Sequence, residues 1–572
     1  MRSTVAIAST LLLGCSSELP APLPQGHPDD ATPRRGGVLQ TATFGDIRSL
    51  DPANLGDGLA PQLVQLIYAG LVDYDRDGNI VPDLAERYEI DPSGTRYRFF
   101  LRHGVRFHDG EELTAEDVRR SFRRSLARKT PNAAKSFYFT IQGAEDYANG
   151  KADDIAGLKV EDTYIVSFLL KEPDATFLPV LSLQAVRPVC RSAGDAFSAD
   201  FFPCGTGPFK LQSWRPGERV SLIRHDGYFR PGLPYLDGVE FTIGVSMLAQ
   251  RLKFESGALD LFRDILQPDL LRYRKDPRWT PYGAYDPASQ MAGEGMNVEM
   301  APFDNVELRR AVSSAIDREQ YRLVKPTMLH ALTQPVPQGV RGHNPNLVCQ
   351  KYDEAAALEH MRRAGYAYDP VTKTGGYPRA IPYYAYPAGV TEYTSQVLAQ
   401  QLARIGIRLD LRLVSYAAWL AITHRRGQAA FSYQGWKSDY SDPSNFTETL
   451  FHSSAINDED TNNPSFYANP KLDAMLDAAH KEMDGPKRAG MYDTIQQFIC
   501  DEAPWAFTYS VSFYNVWQPY VRGYKPHPMW QNEVRETWLD RPGTGRGAQA
   551  SGRMGHGKEA LLSPARSLPR DP

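Results

Sequence analysis

The sequence lacks the short motifs that mark common nucleotide, metal and hydrolase sites. It contains no Walker sequence, no G-x-S-x-G turn, no H-E-x-x-H helix and no C-x-x-C pair. Gly205-Thr206-Gly207-Pro208 begins like a dinucleotide-binding loop but lacks the third glycine, and Pro208 leads into a strand-like segment. His103 and His108 lie in a strand-and-turn region that does not favour a metal site. We therefore predict no catalytic residue, no cofactor and no metal, and hence no enzyme.

A surplus of positive charge is also missing. The chain has 64 Lys and Arg against 68 Asp and Glu, a formal net charge of -4. Because binding to phosphate backbones needs a local cationic surplus, nucleic acid is not expected as the main partner. The 572 residues suffice for roughly three or four domains, or for fewer and larger lobes.

No segment is apolar for long enough to cross a bilayer, which takes ~20 residues. At the start of the chain, Arg2 precedes a short apolar run from Val5 to Leu13. The following Leu12-Leu13-Gly14-Cys15 resembles the lipobox of bacterial lipoproteins, in which the cysteine is lipidated and becomes the new N-terminus. The resemblance predicts a lipoprotein signal peptide over residues 1–15, cleaved before Cys15, and anchoring to a membrane of the cell envelope, with a periplasmic location. An ordinary secretory signal with a chance cysteine is the alternative.

The remaining four cysteines favour disulfide bonds, because an exported chain with an even number of cysteines usually pairs them. Cys190 and Cys204 would close a short loop and are the preferred pair. Cys349 and Cys500 then follow by elimination, although sequence alone does not fix the connectivity.

Alternating helical and strand patterns indicate an α/β protein. Thr114 begins a capping box, and the helix that follows repeats apolar residues every four positions. Asp304 is predicted to cap a second helix, and Asn469-Pro470 a later one. A further helix should run from about Thr391 and end at Gly406, followed by a half-buried strand at 407–413.

Several stretches follow one another in a fixed order along nearly the whole chain. The most specific is Tyr97-x-Phe99-x-Leu101-Arg102-x-Gly104-Val105-x-Phe107-His108-Asp109-Gly110, continuing to Thr114-Ala115-Glu116-Asp117-Val118; later ones are Gly205-Thr206-Gly207-Pro208-Phe209, Pro302-Phe303-Asp304-Asn305, Gly435-Trp436-x-x-Asp439-Tyr440-x-Asp442-Pro443 and Asn469-Pro470-x-Leu472-Asp473. Together they resemble the extracytoplasmic solute-binding proteins of family 5, the oligopeptide- and dipeptide-binding components of ABC importers. We read His108 and Asp109 as structural turn residues.

The resemblance implies a two-lobed periplasmic-binding-protein fold of the large, type II peptide-binding class, with an additional domain. The ligand would lie between lobes that close around it. The expected organisation is a flexible tether at 16–35, a discontinuous lobe I at 36–73, 204–298 and 518–541, an additional domain II at 74–203, lobe III at 299–517 and a disordered tail at 542–572.

The resemblance also places ligand-binding residues in one loop. In the family the aspartate corresponding to Asp439 pairs with the ligand's α-ammonium group, and neighbouring backbone binds the extended peptide. The predicted ligand-binding residues are Gly435, Trp436, Lys437, Asp439 and Tyr440, with Trp419 lining the pocket. Some members have an arginine for the ligand carboxylate where this chain has Tyr433, so Lys437 could neutralise Asp439 or bind that carboxylate itself.

The expected function is capture of di- or oligopeptides for an ABC permease and ATPase complex, by a monomer tethered to the membrane. Three alternatives stay open. The chain could bind a non-peptide solute such as a nickel chelate, haem, an oligosaccharide or an opine. It could be a sensory receptor, or a secreted glycosidase using Asp439 and Glu448. The loop itself could also be only a Pro- and Asp-rich turn packed by its aromatic residues.

Overall fold

The computed structural model describes residues 32–55, 59–194, 201–265, 269–387, 389–530 and 533–541. Cys15, the predicted signal peptide, most of the predicted tether and the predicted tail lie outside the described residues. Within the described ranges, no helix combines the length and the apolar character needed to cross a membrane.

The first sheet joins segments that are far apart in the sequence. Its strands, in spatial order, are Val38–Ala42, Gly238–Thr242, Arg219–Arg224 and Phe209–Arg215. The first pair is parallel and the others are antiparallel. Helix Ala60–Ile67 packs on this sheet, and Leu63 and Ile67 are buried with Phe241 in one core. This pairing is what a discontinuous lobe requires.

The Gly-x-Gly segment supports this core and forms no phosphate loop. A Cβ at Gly205 would lie 2.4 Å from the Tyr68 ring, and one at Gly207 would lie 2.5 Å from the carbonyl of Leu66. Only glycine therefore allows this close approach to the end of helix Ala60–Ile67. His108 contacts the same segment, because its Nδ1 accepts a hydrogen bond from the Gly205 N–H at 3.3 Å. Burial lowers the pKa of His108 to about 3, as expected of a structural residue.

A second, antiparallel sheet has a core of its own. Its strands are Ala85–Ile90, Arg96–Leu101, Ile165–Leu169 and Leu158–Asp162. Helix Ala115–Leu126 covers it, and the predicted capping box is confirmed, since the Thr114 N–H donates to Asp117 Oδ2 at 3.0 Å. Phe122 packs against Phe168 with ring centroids 5.1 Å apart.

The third sheet is the largest and carries the late motifs. Its six strands, in spatial order, are Leu329–Ala331, Trp505–Val511, Gln290–Met296, Phe431–Lys437, Ile381–Ala385 and Leu409–Leu413. Helix Thr391–Ala403 begins as predicted, and Gly406 follows it with φ +83°. The predicted strand at 407–413 is two residues shorter than expected and lies at the sheet edge.

A small sheet of Leu261–Ile265, Tyr514–Trp517 and Gly283–Tyr285 adjoins these elements. The chain passes between this sheet and the six-stranded sheet at 286–289 and again at 512–513. The lobe boundary predicted at 298 therefore lies after strand Gln290–Met296, which follows the first crossing. The boundary predicted at 517 lies at the end of strand Tyr514–Trp517, which follows the second crossing. Strand pairing decides where the chain changes sheets, and the sequence shows no local signal for it.

The remaining helices surround the sheets. Asn305, and not Asp304, caps helix Val306–Ala315, because its side chain accepts from the Glu307 N–H at 2.9 Å. Asn469 caps helix Pro470–Lys481 as predicted. The other helices are Ala144–Ala148, Phe177–Leu181, Met247–Glu255, Asp269–Lys275, Arg318–Val324, Glu354–Arg363, Tyr416–Thr423, Ser444–Phe451 and Gly485–Glu502. Short strand pairs are Val72–Tyr74 with Ile80–Pro82, Tyr368–Asp369 with Thr374–Gly375, and Val521–Arg522 with Trp538–Leu539.

Two disulfide bonds occur within the described residues, and they join the pairs that the sequence favoured. Cys190 bonds Cys204 with their Cα atoms 5.4 Å apart. Cys349 bonds Cys500 with their Cα atoms 5.8 Å apart. Asp109 lies near the first disulfide, but its carboxylate accepts a hydrogen bond from the Ser192 hydroxyl. Because both sulfurs are in the disulfide, this group is no thiolate metal site.

Candidate ligand-binding site

The predicted ligand loop begins inside the six-stranded sheet. Strand Phe431–Lys437 runs antiparallel to Gln290–Met296, with Gly435 opposite Ala292 and Lys437 opposite Gln290. The N–H of Ser438 then donates to the carbonyl of Ser289 at 3.0 Å. The loop therefore leaves the sheet next to the first crossing between sheets, where a ligand could contact both.

The end of this strand has an open edge. Its other neighbour, Ile381–Ala385, pairs only with Phe431 and Ser432. Beyond that point the carbonyl of Tyr433 accepts from Trp419 Nε1 at 3.1 Å, so it points away from Gln290–Met296. Backbone groups two residues apart face the same side of a strand. The N–H and C=O of Gly435 therefore also point away from strand Gln290–Met296, like the carbonyl of Tyr433. Gly435 is exposed, so its peptide unit is accessible to a ligand.

Asp439 is held in place by a buried asparagine. Its backbone N–H donates to Asn445 Oδ1 at 2.9 Å, and Asn445 Nδ2 donates to Asp439 Oδ2 at 3.2 Å. Desolvation raises the pKa of Asp439, while the Asn445 hydrogen bond and the charge of Lys437 act in the opposite direction. The side chain is nevertheless exposed. Asp439 is therefore a carboxylate with a neutral hydrogen-bonding partner that solvent can reach.

The three aromatic candidates are more enclosed. Trp436 is half-buried, and its Nε1 donates to Asn445 Oδ1 at 3.1 Å. Tyr440 is buried against Phe137 of the second sheet's core, with ring centroids 5.6 Å apart. Trp419 is 4% exposed and packs against Tyr386. These rings position the loop and its strand, and their contact with ligand stays a prediction.

A polar cavity lies where the two sheets meet. Its free volume is about 30 Å³, or about 490 Å³ when the space open to solvent is counted. Lys437 is the one predicted site residue among its described lining residues. The late segment from Tyr524 to Trp530 supplies six of the others, and the two sheets and the crossings between them supply the rest. The lining residues are Arg263, Asp286, Pro287, Ser289, Gln290, Lys437, Val511, Phe513, Asn515, Tyr524, Pro526, His527, Pro528, Met529 and Trp530.

Sequence reasoning missed Arg263, Asn445 and the segment from Tyr524 to Trp530. Arg263 left little signal, since it stands next to a second charged residue, Asp264, in the sequence of strand Leu261–Ile265. Asn445 lies in the first turn of helix Ser444–Phe451, where an asparagine reads as an ordinary helix start. For the late segment, which is rich in proline and aromatic residues, we find no sequence signal.

Behind the loop lies a network of ion pairs. Arg488 donates to both carboxylate oxygens of Asp442, at 2.6 and 2.8 Å. Glu448 accepts from the Tyr492 hydroxyl at 2.8 Å and lies 2.9 Å from His480 Nδ1. His480 Nε2 lies 3.0 Å from Asp174. Glu448 is thus bound within a structural network, which argues against the glycosidase role suggested for it.

Two sheets joined by two crossings, with a polar cavity at their junction, are the architecture of two-lobed solute-binding proteins. The chain belongs to the bacterial extracellular solute-binding proteins, family 5, whose family model matches residues 79–458. Members of this family are substrate-binding proteins of ABC importers that bind peptides or related solutes, and its relatives are periplasmic. The predicted α/β fold, two-lobed with an additional domain, is confirmed.

The chain is similar to binding proteins with different ligands. It is 27% identical over 476 residues to the glutathione-binding protein GsiB of Salmonella choleraesuis, covering 81% of this chain and 87% of the relative. It is 27% identical over 491 residues to heme-binding protein A of Haemophilus influenzae, with 81% and 85% covered. The periplasmic binding protein DppA from Helicobacter pylori, solved in complex with the peptide STSA, superposes with a TM-score of 0.71 at 25% identity, covering 89% of this chain and 99% of that chain.

Proposed function

We propose that the chain captures di- or oligopeptides between its lobes and delivers them unaltered to the permease of an ABC importer. The observation that carries the proposal is the exposed peptide unit of Gly435 on an open strand edge, four residues before the poorly hydrated carboxylate of Asp439. An extended peptide offers the two matching groups, a backbone that pairs with a strand edge and a terminal ammonium.

The chemistry of this pair favours a peptide over a ligand without an amine. An ammonium next to Asp439 would supply the opposite charge that the desolvated carboxylate needs. Backbone pairing at Gly435 does not depend on ligand side chains, so it tolerates varied sequences. The similarity to a protein solved with the peptide STSA supports the same ligand class.

A non-peptide solute is the second candidate. Relatives named for heme and for deoxycholate match this chain at 27% and 26% identity, about as well as the glutathione-binding relatives do. Family membership alone therefore does not select the ligand.

Native mass spectrometry separates the candidates. The purified protein is mixed in turn with an equimolar random tripeptide mixture, with haem and with deoxycholate. We expect complexes with tripeptides, of unchanged mass after prolonged incubation because nothing is hydrolysed. Saturable binding of haem or deoxycholate without tripeptide binding, or the appearance of cleaved peptides, would contradict the proposal.

We also propose that the mature chain is a monomeric lipoprotein that begins at a lipidated Cys15. We keep the predicted division into lobe I, domain II and lobe III but change two of its boundaries. The boundary predicted at 298 is placed at 286–289, and the one predicted at 517 is placed at 512–513, where the chain crosses between sheets. Stable anchoring needs more than one acyl chain, which the lipobox resemblance implies. A Cys15→Ala variant should leave the membrane fraction for the soluble fraction of the envelope. Equal membrane retention of both proteins would refute the anchor.

A further inference from the structure

The second sheet is held firmly to the first. The chain enters the second sheet from the first one and returns to it at strand Phe209–Arg215. Arg124, on the helix that covers the second sheet, donates to both carboxylate oxygens of Asp51 at 2.8 and 2.6 Å, and both side chains are at most 10% exposed. Arg187 Nη1 donates at 2.8 Å to the carbonyl of Tyr68, which belongs to the first sheet's core. We therefore expect the two sheets to move together.

The second sheet and the six-stranded sheet have no direct chain connection. In the order of the described strands, those of the first and three-stranded sheets lie between them. The chain enters and leaves the six-stranded sheet at the crossings 286–289 and 512–513. Rotation at these two crossings would move the six-stranded sheet relative to the second sheet. Contacts between these two sheets' elements are therefore made and broken as the lobes close and open.

One ion pair joins the two sides. Asp174 lies just before helix Phe177–Leu181, which packs into the second sheet's core. His480 lies in the last turn of helix Pro470–Lys481, which packs into a core shared with the six-stranded sheet. His480 Nε2 lies 3.0 Å from Asp174 Oδ1, and the carbonyl of His480 accepts from the Ala175 N–H at 2.9 Å. The pair therefore spans elements that only the lobe arrangement brings together.

The pair is enclosed and charged. The side chains of Asp174 and His480 are 3% and 27% exposed. Burial raises the pKa of Asp174, but hydrogen bonds from His480 and Thr176 outweigh it and lower this pKa. The other ring nitrogen of His480 lies 2.9 Å from Glu448, on the same side as His480 itself. His480 thus keeps one carboxylate when the lobes separate and gains the second when they meet, and charged hydrogen bonds are the stronger kind.

The ligand loop meets the second sheet at the same boundary. The Tyr440 ring packs against Phe137 with centroids 5.6 Å apart. The Ser441 N–H donates to the Tyr74 hydroxyl at 3.1 Å. Both of these partners lie in segments next to the second sheet's core. The loop that carries Asp439 therefore changes its surroundings in the same movement.

We propose that the contact of Asp174 with His480 is a latch that stabilises the closed arrangement of the lobes, whatever ligand lies between them. The domain built on the second sheet then takes part in closure and does not only enlarge lobe I. Because the latch touches no ligand, it raises the affinity for every ligand by the same factor, through the population of the closed form. The inference goes beyond the proposed function and does not depend on the ligand being a peptide.

The test measures closure in the protein without ligand. Spin labels are attached through Lys159→Cys in the second sheet and Ala474→Cys in helix Pro470–Lys481, both at exposed positions. The Cys15→Ala background leaves these as the free thiols, since the other four cysteines form disulfides. The distribution of distances between the labels gives the ratio of closed to open molecules.

Four proteins are compared with the labelled wild type. They are His480→Gln, Asp174→Asn, the double variant and the matched control His452→Gln. Asp174→Asn keeps an acceptor for the Thr176 N–H. The control removes another imidazole next to an acid, since His452 Nε2 lies 3.4 Å from Asp477, but this pair stays on one side of the boundary. Circular dichroism checks that each variant is folded.

We expect the ratio of closed to open wild-type molecules to fall about tenfold in His480→Gln, the lower range for a charged hydrogen bond. It should fall by a smaller factor in Asp174→Asn, which keeps a neutral acceptor. The double variant should lose no more than His480→Gln alone, because both substitutions break one contact, and His452→Gln should match the wild type. Identical distributions in the wild type and the folded single variants, or a double loss equal to the product of the single losses, would overturn the inference. Because no ligand is present, neither result depends on whether tripeptides bind.

Discussion

Two aspartates three residues apart show how one loop serves two purposes. Asp442 is 4% exposed, and both of its oxygens accept from Arg488. Asp439 is exposed, with the neutral Asn445 as its hydrogen-bonding partner and Lys437 as the charge that acts on it. The charge of Asp442, at the rear of the loop, is thus compensated by the protein itself, whereas we propose that a ligand ammonium compensates Asp439 at the front. Exposure and partner chemistry, and not residue type, therefore distinguish the two aspartates.

The rear network also joins parts of the chain that lie far apart. Asp174 belongs to the segment after the second sheet, while Glu448 and His480 belong to helices beside the third. The carbonyl of His480 accepts from the Ala175 N–H at 2.9 Å. An imidazole with both nitrogens next to carboxylates must carry both protons. The network therefore fixes the rear of the loop through the positive charge of His480.

The largest effect on stability is expected when the rear of the loop loses its arginine. Arg488→Gln should lower the free energy of unfolding by about 3–5 kcal/mol, because it leaves Asp442 buried without its counter-charge. Urea unfolding followed by circular dichroism measures the change. The control Arg322→Gln breaks an exposed pair with Glu319 and should cost less than about 1 kcal/mol. Equal losses in both variants would show that the buried pair of Arg488 with Asp442 stabilises the protein no more than an exposed pair does.

A smaller effect should follow the charge of His480. Burial opposes the charged ring, but hydrogen bonds to Asp174 and Glu448 outweigh it and raise the pKa of His480 to about 11. In the unfolded chain the ordinary pKa is near ~6.5. The stabilisation is therefore complete below pH ~6.5, declines as the pH rises above that value, and is lost as the pH passes about 11.

His480→Gln isolates this contribution. At pH 7 it should lower the free energy of unfolding by about 1.5–3 kcal/mol, the range for hydrogen bonds to charged groups. The difference between variant and wild type should shrink as denaturation is repeated at increasing pH. A difference that stays constant from pH 6 to pH 10 would mean that the proton on His480 does not stabilise the network.

The smallest effect is expected on ligand binding, when the contact behind the open strand edge is weakened. Trp419→Phe removes the donor that binds the Tyr433 carbonyl but keeps an aromatic ring, so binding of the tripeptide mixture should weaken by about 1 kcal/mol or less. Isothermal titration calorimetry of wild type and variant measures this change in the binding free energy. A loss of more than ~3 kcal/mol would indicate that the indole contacts the ligand directly, as the sequence predicted, and does not only position the strand.

Local patterns predicted the parts of the fold that local chemistry determines. The capping box at Thr114, the helix from Thr391 and the cap at Asn469 are confirmed because each depends on neighbours within a few residues. The crossings at 286–289 and 512–513 were missed because they depend on which distant strands pair. Family motifs drew attention to Asp439, but no pattern showed that Asp442 would meet Arg488, which is 46 residues away.

The most direct test of the account is a cycle between Asp439 and the ligand's amino group. Binding of the random tripeptide mixture and of its N-acetylated form is titrated calorimetrically into wild type and Asp439→Asn. We predict that the substitution weakens binding of the free amines by about 2–5 kcal/mol and barely alters the weak binding of the acetylated peptides. Equal losses for both mixtures, or no loss for either, would contradict an ammonium bound at Asp439.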